Sequence, residues 1–310
     1  MRARAASTSG CVWWWRTRSS GPRPIVLWGW IAVGVASVSV AAIFIRLAEA
    51  EPLTFAAYRL SLGAALVAVP TLLRSRAGLR ALRRTDMPLL VLSGLFLAAH
   101  FVLWITSLSL TSVASSVLLV TTTPVFVALA SHLWLRERVG RLTAAAVALT
   151  LAGGAVLAVG GGGEQRLLGD GLALLAAVAV AGYILAGRRA RTRIANLPYV
   201  TVVYTVTAVV LLVAAVGTGV PMLGLPAETY FWIAASALLP QAIGHTLLNW
   251  GLGHASATSI ATAVRAEPVI ATLLAIVVLG EIPPWTVVPG GALVLAGVYL
   301  AIRAEQGHSP

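Results

Sequence analysis

The chain alternates long apolar runs with short polar connections. Ten runs reach about 20 residues, the length that an α-helix needs to cross roughly 30 Å of hydrocarbon at 1.5 Å per residue. The predicted spans, numbered first to tenth, are 25–48, 52–73, 87–110, 113–135, 142–160, 171–187, 198–217, 229–252, 256–279 and 285–302. The connections are too short to fold as soluble domains. The pattern predicts an all-α integral membrane protein with ten transmembrane helices.

Composition supports this class and excludes several others. The 310 residues are 59% hydrophobic and only 10% charged, whereas soluble domains average about a quarter charged residues. The single cysteine, Cys11, excludes a disulfide or a cysteine metal cluster within the chain. No lysine is present, so a Walker A loop cannot form. We therefore expect no metal, no cofactor and no ATP hydrolysis of that kind.

The net charge of +12 comes from 22 arginines, and their positions decide between nucleic acid and membrane as the partner. With a cytoplasmic N-terminus, 18 arginines fall on cytoplasmic segments and only Arg166 lies on an outer loop. The remaining three, Arg46, Arg59 and Arg265, lie within or at the end of spans. The positive-inside rule then predicts that both termini are cytoplasmic. The expected partner is the lipid bilayer of a bacterial plasma (inner) membrane and not nucleic acid.

The second half of the sequence repeats the first. A shift of 144 positions aligns "TSVASSVLLVTTTPVFVALASHLWLRE" with "ASATSIATAVRAEPVIATLLAIVVLGE". Pro124 then falls on Pro268 and Glu137 on Glu281. Because each half holds five predicted spans, the second half enters the membrane in the opposite sense, with Glu281 outside and Glu137 inside. Inverted five-helix repeats are a known basis of alternating access around a site at the midplane.

These two segments resemble the two copies of the EamA domain of the drug/metabolite transporter superfamily. Further similarity lies in "PLTFAAYRL" and in "LLGDGLALLAAVAVAGYILAGRR", where Asp170 could cap the sixth helix. The resemblance implies five-helix repeats at 25–160 and 171–303, with cytoplasmic tails at 1–24 and 304–310. Members of the superfamily export or import amino acids, metabolites, nucleotide sugars and toxic organic compounds, so the resemblance leaves the substrate open.

Glu267 is the only acidic residue predicted near the midplane of the membrane. A charge at this depth costs on the order of 3 kcal/mol unless it faces a cavity or a partner, and such residues often mark a pathway. Glu267 could bind a substrate amine or carry a proton, or it could belong to a structural ion pair. Arg59 and Arg265 are further candidates for substrate binding or coupling. Arg265, however, points to another face of the helix that carries Glu267, and Arg46 can snorkel to the surface. Arg59 is therefore the expected partner.

The eighth span carries a polar stripe and a proline. Gln241, His245 and Asn249 recur at i, i+4 and i+8, the spacing of one helical face. The kinking Pro240 precedes the stripe. We expect the stripe to line a substrate cavity, and interhelical hydrogen bonding is the alternative.

Other candidates lie in the third, fourth and ninth spans. His100 and Trp104 share one face of the third span and could join the same cavity, although a histidine satisfied by a neighbouring carbonyl is an equal alternative. Pro124 and Pro268 should interrupt their helices. The threonines that precede Pro124 are expected to bond the backbone that the proline leaves free.

The expected function is secondary active transport of a small organic metabolite or drug by alternating access, as an exporter in preference to an importer. Proton coupling and a homodimer stay open. The alternatives are a receptor or a structural subunit, and, less favoured, an intramembrane enzyme. We expect no enzymatic activity, because no catalytic constellation is evident.

Overall fold

A computed structural model describes residues 24–135, 140–159, 164–251, 254 and 263–306. These residues form helices joined by short turns, and no strand occurs in the described ranges. Within them, nine helices are long and apolar enough to cross a membrane, and Ala266–Leu279 is a shorter apolar helix. This confirms the all-helical membrane class. Most of 252–262 lies outside the described residues, so the count of ten spans stays a prediction.

The spans of the first repeat are continuous helices or pairs of helices. They are Pro24–Ser39 with Ala41–Ala48, Pro52–Arg74, Met87–Leu110, Val113–Val120 with Thr123–Leu135, and Arg141–Val159. A short α-helix, Arg76–Arg80, and a 3₁₀ helix, Arg84–Asp86, connect the second span to the third. The second repeat comprises Glu164–Arg191, Asn196–Thr218, Ala227–Ser236 with Ala237–His245 and Thr246–Gly251, Ala266–Leu279, and Val287–Gln306.

The sixth span is longer than predicted. It runs over Glu164–Arg191 and not 171–187, because the apolar Leu167 and Leu168 continue the helix upstream. Asp170 consequently lies inside the helix and does not cap it. Its Oδ1 accepts a hydrogen bond from Thr111 Oγ1 at 2.7 Å, which ties the sixth span to the connection between the third and fourth.

The fourth and ninth spans are interrupted at positions that the repeat relates. The fourth span breaks at Thr121 and Thr122, and the ninth turns at Arg265, 144 positions after Thr121. Each break lies just before the proline predicted to cause it, Pro124 or Pro268. In the fourth span, all three threonine hydroxyls donate to carbonyls three residues earlier. Only Thr123 donates to the carbonyl of Val120, which is the group that Pro124 leaves free.

The eighth span contains an unexpected π-helix. Ala237–His245 forms i→i+5 hydrogen bonds around Pro240, between two α-helical segments. Proline lacks the donor for an α-helical bond, so a widened turn accommodates it within the span. The stripe from Gln241 to Asn249 therefore begins on a π-helix and ends on an α-helix.

Three helix pairs organise the packing: the third with the sixth, the fifth with the tenth, and the second with the seventh. Close approach in the fifth–tenth pair depends on Gly153, because a Cβ there would lie 2.7 Å from the carbonyl oxygen of Gly290. The bundle has two distinct ends. The Glu281 end holds the connections at 49–51, 111–112, 219–226 and 280–286. The opposite end holds the arginine-rich connections near Arg191 and is called the Arg191 end.

Candidate functional site

Arg59 of the second span lies at the centre of a buried polar cluster. Its side chain is fully buried, and its Nε donates to Oε1 of Gln241 at 3.3 Å. Gln241 is also buried, and it approaches the second span closely at Gly63, one turn after Arg59. A Cβ at Gly63 would lie 2.6 Å from Cγ of Gln241, so a larger residue would push the two helices apart. The absence of a side chain at Gly63 and the π-helix together bring Gln241 within hydrogen-bonding distance of Arg59.

An aromatic wall from the third span faces the same guanidinium. Cζ of Arg59 lies 4.7 Å from the ring centroid of Phe101 and 5.9 Å from that of Trp104. These distances are within the range of cation–π attraction, which strengthens when the cation is desolvated. Among the described residues, Nη1 and Nη2 of Arg59 have no hydrogen-bond partner.

Glu267 lies in the first turn of Ala266–Leu279, after the break in the ninth span. The N-terminus of a helix carries a partial positive charge that stabilises a carboxylate there. Glu267 and Arg59 are close enough for their charges to interact. Within the described part of the chain, however, Glu267 forms no hydrogen bond or direct ion pair. Arg265 points elsewhere, with its guanidinium 5.5 Å from the ring of Tyr299 in the tenth span.

The members of the polar stripe contact three different helices. Gln241 bonds Arg59, and the ring of His245 meets Phe101 edge-on at 6.1 Å. Asn249 donates from Nδ2 to the Tyr183 hydroxyl at 3.3 Å. Interhelical bonding therefore accounts for part of the stripe. Cavity lining stays a prediction for His245 and Asn249, which are only partly buried.

His100 and Trp104 have separate roles within the third span. His100 is buried, and its Nδ1 forms a 3.0 Å hydrogen bond with the carbonyl oxygen of Ala176 in the sixth span. Its ring stacks on that of Trp104 at 6.0 Å. His100 thus satisfies a backbone group and supports the tryptophan, whereas Trp104 faces Arg59 directly.

Two important neighbours of Arg59 were not among the predicted site residues. Phe101 touches both Arg59 and His245, and Tyr204 lies close enough to Arg59 to interact with it electrostatically. An aromatic residue in an apolar span has no feature that separates an inward from a lipid-facing position. Only the three-dimensional arrangement identifies these two residues.

An ion pair lies at the Glu281 end of the bundle. Nη2 of Arg46 lies 3.1 Å from Oε2 of Glu281, and Oε1 of Glu281 accepts a 2.8 Å bond from the backbone N–H of Val113. Arg46 also donates to the carbonyl oxygen of Leu108. That Arg46 can snorkel to the surface stays a prediction, and its pairing with Glu281 is a contact that the sequence analysis did not identify. Gly280, with φ of 64°, ends the ninth helix in a left-handed turn that aims Glu281 at this contact.

We call Arg46, Glu281 and Val113 the latch. It joins the first, fourth and ninth spans, and hence both repeats. A polar recess of about 290 Å³ adjoins it, lined in part by Ser109 and Ser112. No group of three His, Cys, Asp or Glu side chains comes together in the described ranges, so these residues offer no metal-ligand set there.

Comparison with known proteins agrees with this architecture. The EamA-like transporter family matches residues 24–159 and 167–303. A protein of Streptantibioticus cattleyicolor named "Probable terminal-alkyne amino-acid exporter" is 31% identical over 236 residues, which cover 74% of this chain and 78% of that protein. The "Uncharacterized transporter YdfC" of Bacillus subtilis is 27% identical over 216 residues, 69% of this chain and 70% of its own.

A solved crystal structure shares the fold. It superimposes with a TM-score of 0.65 at 22% identity and covers 92% of this chain and 99% of the other. At this sequence identity, the similarity shows that the two proteins share an arrangement of helices. It gives no information about the transported solute.

Proposed function

The chain belongs to the EamA-like transporter family, and from that premise we propose that it is a secondary transporter that exports a small amino-acid-like solute by alternating access. The observation that carries this proposal is the pair of interrupted helices related by the repeat. Interrupted helices in inverted repeats commonly form the binding site at the bilayer midplane, where half-helix ends meet the solute. Here one half-helix carries Glu267 in its first turn, near enough to buried Arg59 for their charges to interact.

The latch supports an alternating mechanism. It joins residues of the first repeat to Glu281 of the second, and its contacts hold the Glu281 end together in this conformation. If the termini are cytoplasmic, this end faces outward, and the conformation is closed to the outside. Opening would require the Arg46–Glu281 pair to separate as one repeat moves against the other.

We assign coupling to Glu267. A carboxylate in the membrane interior can bind a proton, a cationic group of the solute or an arginine in turn, and movement of the half-helix would exchange these partners. The amino-acid character of the solute follows from the name of the S. cattleyicolor relative. A cation–anion pair held apart at the site centre also suits a solute that carries both charges.

Transport in proteoliposomes tests the proposal. Vesicles that contain the purified protein and a mixture of labelled L-amino acids, including L-propargylglycine, would be compared with protein-free vesicles, with and without an imposed proton gradient. We expect saturable movement of at least one solute and its accumulation only with the gradient. Flux equal to that of protein-free vesicles, or flux that never saturates, would reject the proposal.

A further inference from the structure

Arg59 is a buried cation without an anion in contact. Among the described residues, its one hydrogen bond is donated by Nε to the neutral amide oxygen of Gln241. Neither Nη atom has a partner there. An ion removed from water is strongly destabilised unless a counter-ion and hydrogen bonds replace its hydration. Glu267 interacts only at a distance. Within the described residues, the guanidinium of Arg59 therefore lacks a counter-ion in direct contact.

The unsatisfied groups around Arg59 can all donate a hydrogen bond, and one of them, the hydroxyl of Tyr204, can also accept one. Besides the two Nη atoms of Arg59, Nε1 of Trp104 and Nε2 of Gln241 are buried and have no partner within the described residues. Gln241 touches Arg59, and the ring of Trp104 lies 5.9 Å from Cζ of Arg59, so the donors belong to one cluster. A carboxylate matches such a cluster, because it accepts about four hydrogen bonds and can pair with an arginine through two parallel bonds.

We propose that Arg59 binds the carboxylate of the transported solute, with Trp104 and Gln241 as additional donors. The inference rests on the proposed function, since it takes this cluster to be part of the transport site. It adds a selectivity: the protein prefers a solute with a carboxylate to the same solute as an amide or an amine. The faces of Phe101 and Trp104 supply an apolar wall beside the carboxylate.

Ligand-induced stabilisation measures this selectivity. The full chain in lipid nanodiscs would be heated with the twenty common L-amino acids and L-propargylglycine, each compared with its primary amide and its decarboxylated amine. We expect at least one acid to raise the unfolding midpoint in a dose-dependent way. Its amide and amine should need at least about tenfold higher concentration, because they lack the charge-assisted bonds to Arg59. Equal potency of amide or amine, or no stabilisation by any acid, would overturn the proposal.

Two substitutions assign the effect to Arg59. Arg59→Gln should weaken the response to the acid on the order of tenfold to a hundredfold. Since this variant can fail to fold, Gln241→Glu provides an independent test. This substitution replaces the amide of Gln241, whose Oε1 lies 3.3 Å from Nε of Arg59, with a carboxylate. We expect it to fold and to lose the acid response by competition, and an unchanged response would contradict the assignment.

A matched control and a flux measurement separate this proposal from the proposed function. Arg303→Gln removes an exposed arginine of the tenth span, whose Nε donates to the hydroxyl of Tyr299, and should keep the acid-to-amide ratio of the parent. Counterflow would be measured on the same preparations. Saturable exchange of amines or amides without a preference for acids would preserve the transporter function and reject the carboxylate site.

Discussion

At the residue scale, two histidines near Arg59 differ in what they contact. His100 bonds the carbonyl oxygen of Ala176, whereas His245 forms no recorded hydrogen bond with the described residues and meets Phe101 by its ring edge. His100 therefore contributes to the packing of the third and sixth spans. We therefore expect His245, and not His100, to meet a solute.

Alanine substitution should separate these roles. His100→Ala leaves the carbonyl of Ala176 without its partner and opens a gap beside Trp104, so we expect a stability loss of roughly 1–3 kcal/mol. His245→Ala should retain a near-parental unfolding midpoint and change the apparent affinity for solute. Thermal unfolding and counterflow on both variants measure the two effects. The opposite pattern, with a destabilised His245 variant and weaker solute binding only in the His100 variant, would reverse the assignment.

The sequence predicts part of this cluster and misses the rest for a physical reason. Arg59, Gln241 and Glu267 are conspicuous because a polar group in an apolar span is costly and needs an explanation. Phe101 and Tyr204 are missed because an aromatic ring is equally at home facing lipid or protein. Whether such a ring faces Arg59 depends on how its helix is rotated about its own axis. The weak amphipathicity of a membrane helix does not determine that rotation.

At the element scale, the interruptions of the helices determine where the polar groups meet. The prolines predict the breaks in the fourth and ninth spans, because each removes a backbone donor. They do not predict that Pro240 lies in a π-helix, since proline is also compatible with a simple kink. The i→i+5 bonds change the register of the stripe. This explains why Gln241 and Asn249 bond different helices although their spacing predicts a single face.

The latch is the element-scale contact that we expect to control opening at the Glu281 end. Glu281→Gln and Arg46→Gln each remove one charge of the pair at 3.1 Å. The conformation open at this end should then be populated more often. A cysteine that replaces Ser112, a buried residue beside the latch, should react several times faster with a membrane-impermeant maleimide in either variant, in a background where Cys11 is replaced by serine.

Glu228→Gln serves as the control for the latch, because Glu228 is an exposed acid at the same end and, within the described ranges, bonds only Trp232. It should leave the labelling rate at position 112 at the parental value. Equal rates in the parent and in both latch variants would mean that the ion pair does not hold this end closed.

At the scale of the whole molecule, the arginine distribution predicts the orientation in the membrane. The loops near Arg191 and Arg76 lie together at one end, where Arg193 pairs with Asp86 at 3.2 Å. The positive-inside rule predicts that this end faces the cytoplasm and that the connection that contains Leu223 faces outward.

Cysteine labelling in intact cells tests the orientation. The native Cys11 should be protected from an impermeant thiol reagent until the membrane is permeabilised. A cysteine at position 223, where the leucine is 83% exposed, should react at once in a Cys11→Ser background. The reverse pattern of protection would show that the termini are outside.

The sequence predicts the overall architecture well because hydrocarbon thickness and the duplicated segment constrain it strongly. The family match over 24–159 and 167–303 and the all-helical structure agree with the two predicted repeats. Finer features of the fold, such as the ends of the helices, are harder to predict from the sequence. The sixth span extends seven residues upstream of its predicted start, since neither Asp170 nor the adjacent glycines stop a helix that packs closely along the third span. Tertiary packing overrides such local signals.

Uphill transport by a Glu267→Gln variant tests the central claim most directly, because glutamine keeps the shape of the side chain and cannot ionise. In proteoliposomes with an imposed pH gradient, the parent should accumulate an amino-acid solute above its equilibrium level. The variant should retain some downhill exchange and lose accumulation at every pH tested. Accumulation by the variant equal to that of the parent across the pH range would contradict the assignment of coupling to Glu267.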